Sequence, residues 1–172
     1  MTKTFAAVFL AEVRTTRRLA RTWVFGVLAV VTSCIGYLYF TALHASMSNL
    51  MASVVTSPRF QVDSFGGYLL WFLMAAAVFL GFDIGSREQR ERIADAFHTR
   101  PVSNIQLLAG RLAGVVATLA APVVAFLVIS QGVGALGQAF DWPIRATFEP
   151  VSLGVFLAAD ALPALIVWVA IV

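Results

Sequence analysis

Three groups of residues in this chain could do chemistry. Asp83 and Asp160 are carboxylates set inside apolar runs. A carboxylate at the middle of a bilayer costs about 2.5 kcal/mol or more, so such a group must face protein or water, and a functional role is the default expectation. Asp83 stands one helical turn before Arg87, and Arg111 is a second candidate partner for an ion pair. Asp160 lies roughly 14 Å along the last apolar run if that helix begins near Val151, and the nearby Pro163 offers the plainer alternative of a polar kink. The third group is the polar island 86–106, SREQRERIADAFHTRPVSNIQ, whose charges suit the docking of a partner.

Composition says what must hold these groups. The 172 residues are 60% hydrophobic and only 12% charged, whereas charged residues make up about a quarter of a soluble domain. The apolar residues are gathered into runs of about 20, the length a transmembrane helix needs. Net charge is +3, but the basic residues flank apolar runs. A stripe of lysines and arginines that could track a nucleic acid is not formed, and anionic membrane lipids are the expected electrostatic partner.

Taken in order, residues 3–21 read as an amphipathic helix lying on the membrane. Lys3, Arg14, Arg17, Arg18 and Arg21 fall on one arc, with Phe5, Val8, Phe9, Val13, Leu19 and Ala20 opposite. Glu12 on the apolar side and Leu10 on the basic side break the pattern. Four spans are expected, at 23–43, 66–84, 105–130 and 151–172, with loops at 44–64 and 131–150. Pro122 should kink the third span by removing a backbone hydrogen bond. The fold class is therefore an all-α integral membrane protein with about four transmembrane helices. Residues 1–22 and 85–111 carry five Lys or Arg each, against one in each of the other two loops, which puts the N-terminus and the island in the cytoplasm. The last run stops at Val172 without a basic anchor, and we expect further chain beyond it.

The island has internal punctuation. Ser86 and Gln89 have capping-box spacing, Arg87–Glu91 and Glu88–Arg92 are i,i+4 pairs, and Ile93 and Phe97 form an apolar stripe. Pro101 pushes Arg100 out of helical geometry, and Ser103 with Gln106 caps the next helix. The expected element is a cytoplasmic helix over 86–100 between spans two and three.

Several chemistries find no support. Lys3 is the only lysine and no glycine precedes it, so a Walker A loop is excluded from this sequence. Gly132, Gly134 and Gly137 make a nominal G-x-G-x-x-G, but it follows an apolar run rather than a strand, and it reads as a flexible loop. His44 and His98 fall on opposite sides of the membrane, Cys34 is alone within an apolar run, and no H-E-x-x-H or G-x-S-x-G occurs. No cofactor or metal is expected in this chain. Small-residue spacing is more informative. Gly81 with Gly85, Gly110 with Gly114, and the ridge Ala113, Ala117, Ala121 and Ala125 let helices approach closely in lipid, within the chain in the first instance, with a contact between copies as the alternative.

Residues 86–114, SREQRERIADAFHTRPVSNIQLLAGRLAG, resemble the permease subunits of ABC-2 type transporters. The order of elements is similar as well: an interfacial helix, two spans, a coupling helix, then a third span. The resemblance implies an all-helical membrane subunit that docks an ATP-binding subunit through Arg87, Glu91, Ile93, Phe97, Arg100 and Pro101. It also implies ATP and Mg held in that partner, pairing as a homodimer or with a related permease half, and transport, with export favoured, across the inner (plasma) membrane. Such permeases usually have six spans and this sequence has four. The rival readings are a membrane scaffold that recruits a cytoplasmic partner and, further off, an intramembrane enzyme using Asp83 or Asp160.

Overall fold

Backbone amides inside hydrocarbon must find partners within their own segment, which favours helices that run longer than the apolar stretch itself. A computed structural model describes residues 2–47, 58–91, 104–140 and 154–171, and every element among them is helical. Helix α1 is Thr2–Arg18, α2 is Ala20–Met47, α3 is Pro58–Glu91 and α4 is Asn104–Ala139. A π-helical turn, Phe156–Ala161, leads into α5, Leu162–Ile171.

Helix boundaries differ from the sequence reading at several points. The loop expected at 44–64 is helical up to Met47 and again from Pro58, a proline at the first helical position, where its missing N–H costs nothing. Helix α3 then passes Ser86 without a break. The Ser86 capping signal is therefore not used as a helix start, since a side-chain cap is not needed where the backbone ladder already continues. Helix α4 also runs on through Gly132, Gly134 and Gly137 to Ala139, so this G-x-G-x-x-G is helical rather than a flexible loop. A helical glycine costs about 1 kcal/mol relative to alanine, too little to stop a helix that is satisfying its own amides.

Two helices, over Ala20–Leu43 and Ile105–Gly137, are long and apolar enough to cross a membrane. Gly66–Phe82 and Phe156–Ile171 are shorter apolar segments. In the most apolar 18-residue window of each, 28% and 39% of the residues are buried within the chain, so each helix keeps an apolar face that the rest of the chain does not cover. Val24, Ile35, Trp71, Phe82, Ile105 and Leu108 are all exposed. Such continuous exposed apolar surface is what a membrane would cover, and it is the ground for a membrane location.

The apolar core is built from α2, α3, α4 and the last helical segment, with α1 outside it. Leu69, Leu73, Ala76, Ala77 and Leu80 of α3 recur at helical spacing, as do Val115, Leu119, Val123 and Phe126 of α4. Ala29 and Tyr37 enter from α2, and Phe156, Ala161 and Leu165 close the cluster. Phe25 stacks on Phe79 at 5.2 Å between ring centroids, fastening α2 to α3. The edge of one ring meets the face of the other in the Tyr37–Phe126 pair, at 6.5 Å and 89°, which fastens α2 to α4.

Gly66 is the seat of Phe156: a Cβ at this position would overlap the phenyl ring, which is 2% exposed. Gly66→Ala is therefore expected to cost about 1–3 kcal/mol by overpacking, read as a lower unfolding midpoint in detergent. The same substitution should cost nothing measurable in a Phe156→Ala background. Equal losses in both backgrounds would place the ring elsewhere.

Candidate functional site

The close approach expected of Gly110 and Gly114 occurs, and its partner is α1. A Cβ on Gly110 would stand 2.9 Å from Val8 Cγ1, and one on Gly114 would stand 2.8 Å from Glu12 Cβ and 3.2 Å from the Phe9 carbonyl oxygen. Residues 8 and 12 thus lie over 110 and 114 in the same direction, so α1 runs parallel to the first turns of α4. Glu12, which interrupts the apolar side of the sequence pattern, is buried in this contact, and Thr16 Oγ1 donates to its Oε1 at 3.5 Å. The stripe Val8–Glu12–Thr16 is seated on a helix rather than on acyl chains.

Nor is α1 continuous to residue 21 as the periodicity suggests, because the chain turns at Leu19. The last carbonyls of α1 lack intrahelical donors, and α2 supplies them. Thr22 Oγ1 donates to Thr16 O at 3.0 Å and Trp23 Nε1 donates to Arg17 O at 2.8 Å. Leu19 N donates to Thr16 O at 3.2 Å, and Thr22 N to Leu19 O at 3.1 Å. The bend is held by side chains whose role is invisible to a helical-wheel analysis.

The alanine ridge behaves differently from the glycines. Ala117, Ala121 and Ala125 line an open groove of about 490 Å³ between α2 and α4, opposite Gly26, Val27 and Val30. Pro122 lies in its wall, and a Cβ on Gly26 would meet Pro122 Cγ at 3.2 Å. The groove reaches the α1–α2 bend, where Val13, Arg17 and Trp23 also bound a second hollow of about 310 Å³ with Arg14 and Arg18.

Hydroxyls inside the apolar helices mostly bond back to their own carbonyls, as Thr41 does to Tyr37 O at 2.7 Å, Thr118 to Gly114 O at 2.9 Å and Ser130 to Leu127 O at 3.1 Å. The Ser33 and Tyr37 hydroxyls, one turn apart on α2, are buried and have no hydrogen-bond partner among the described residues.

Of the residues singled out for partner docking, Arg87 and Glu91 fall on the last turns of α3. Their side chains, and that of Asp83, lie outside the described side chains, and Ile93, Phe97, Arg100 and Pro101 lie outside the described residues. Asp160 sits on the exposed side of the π-helical turn, with Phe156 and Ala161 on the inner side, so the described helices do not cover it. Among the described residues no three His, Cys, Asp or Glu side chains come together as a metal site. No family model, curated protein or solved structure matches the chain.

The sequence reading identified the basic arc and the alanine ridge separately. It missed that the bend at Leu19 brings them to one groove. Trp23 was the available signal: an aromatic just inside a span and six residues after Arg17.

Proposed function

We propose that this chain is the permease subunit of an ABC-2 type ATP-binding-cassette transporter, working as a multi-pass protein of the inner (plasma) membrane with its N-terminus in the cytoplasm. The observation that carries the reading is the continuity of α3, which leaves its apolar segment and reaches Glu91 without interruption. A helix is stiff along its axis, so a force applied at the charged end acts directly on the apolar body. The other support is the resemblance of residues 86–114 to the coupling region of such permeases.

In this reading the ATP-binding subunit docks on the segment that includes Arg87, Glu91, Ile93, Phe97, Arg100 and Pro101. It holds ATP and Mg, while this chain is not itself an enzyme. Closure of two such subunits on a homodimer, or on a pair with a related permease half, tilts the spans and exports the cargo. Helix α1, clamped to the start of α4, carries the same motion to the first span.

Co-expression with an ATPase encoded beside it, one that carries G-x-x-x-x-G-K-[ST], is the direct test. Wild-type protein should copurify with that ATPase and stimulate its hydrolysis, and Phe97→Glu should lose both together with transport. Copurification without any transport would make the chain a scaffold. Absence of any ATPase partner would remove the transporter reading.

A further inference from the structure

We infer that the groove between α2 and α4 holds one anionic phospholipid as a resident ligand, with its headgroup at Arg14, Arg17 and Arg18 and an acyl chain along Val27, Val30 and Ala121. The inference rests on the membrane reading but not on the transporter reading. Three observations carry it.

The first is the division of the groove by polarity. It is lined mainly by valines, alanines, a glycine and a proline, with Arg17 and Trp23 toward the α1–α2 bend, and its two threonine hydroxyls, Thr22 and Thr118, are spent on backbone carbonyls. The adjoining hollow adds Arg14 and Arg18, and the two share Val13, Arg17 and Trp23, so cationic and apolar parts are contiguous. An anion with a long apolar tail is the ligand that satisfies both ends. At about 490 Å³ the groove is within the usual range of small-ligand sites.

Second, the cationic end is built rather than incidental. Trp23 is fixed by its bond to the Arg17 carbonyl, which sets the indole at the boundary between the two hollows. Arg14, Arg17 and Arg18 are exposed, and each arginine close to an anionic surface adds to its attraction.

Third, the charge disfavours a second copy as the occupant. A small-residue ridge could receive another helix. In a two-fold pair about an axis along the membrane normal, however, each face meets itself at the same depth. Three arginines would then oppose three arginines.

The test is native mass spectrometry of the detergent-solubilised chain after exchange with vesicles of phosphatidylcholine doped with phosphatidylglycerol. Wild-type protein should retain one phosphatidylglycerol in preference to phosphatidylcholine. The triple substitution Arg14→Gln, Arg17→Gln and Arg18→Gln should weaken retention roughly tenfold or more. Ala121→Trp, placed at an exposed position, should abolish retention with all three arginines intact. Loss in the arginine variant but not in Ala121→Trp would reduce the site to headgroup attraction and overturn the groove. Disulfide cross-linking between copies through Ala121→Cys, with no lipid retained, would assign the groove to a second copy. The chain is assayed without an ATPase, so lipid retention and failure to bind an ATPase can be told apart. Recovery of the protein from the soluble fraction without detergent would overturn both.

Discussion

Gly114→Leu should strip α1 from α4. The glycine leaves room for Glu12 Cβ and for the Phe9 carbonyl oxygen, each about 3 Å from where a Cβ would stand. The carbonyl belongs to helical backbone and cannot rotate away, so a leucine can be accommodated only if the two helices separate. Overpacking of a close contact costs about 1–3 kcal/mol, and this case belongs at the upper end because backbone as well as side chain is in the way. The direct readout is a cysteine at Thr16, which is 1% exposed. Thr16→Cys should resist a maleimide in the parent chain and react with it once Gly114→Leu is added. Gly114→Ala should fall between the two. An unreactive cysteine in the leucine variant would mean that α1 is held by something other than the glycine seat.

Tyr37 should tolerate the loss of its hydroxyl but not of its ring. Its ring is fully buried and packs edge-on against Phe126, so Tyr37→Ala opens a cavity at the α2–α4 contact and is expected to cost about 3–5 kcal/mol. Its hydroxyl, however, has no partner among the described residues. Leaving a buried donor unsatisfied costs about 1–3 kcal/mol, so Tyr37→Phe should be neutral or raise stability by about 1 kcal/mol. Thermal unfolding in detergent reads both. Destabilisation by Tyr37→Phe comparable to that of a lost hydrogen bond would show that the hydroxyl is engaged, and Ser33→Ala would then locate the other end of that contact.

The apolar helices were legible because their signal is simple: twenty or so residues without charge can do little else. Gly110 and Gly114 were legible for a related reason, since paired glycines at this spacing have few uses besides close approach. Their partner was not. Glu12 looks like an error in an amphipathic pattern, and only the seating of α1 on α4 explains a carboxylate on that face. Helix ends were misjudged at Met47, Pro58 and Ala139 because glycines and small polar residues mark turns in water, where an amide released from a helix finds a solvent partner. Along the apolar α4 it does not, and the ladder continues through Gly132 to Ala139, whereas α3 begins with polar turns at Pro58, a residue suited to a helix start. Asp160 lies in a π-helical turn that leaves it on the exposed side, and such a turn has no signature in the spacing. The residues expected from the sequence to dock a partner, from Ile93 to Pro101, lie outside the described residues.

The parallel seating of α1 on α4 also has a consequence in time. The surface that receives Val8 and Glu12 is made of residues 110 and 114, roughly a hundred residues later in the chain. Ribosomes add about 5–20 residues per second, so α1 exists for something like 5–20 seconds before its seat has been synthesised. During that interval α1 lacks the helix face on which Val8 and Glu12 come to rest. The N-terminal segment must therefore be able to wait, and a substitution that harms the waiting state would lower yield without weakening the finished protein.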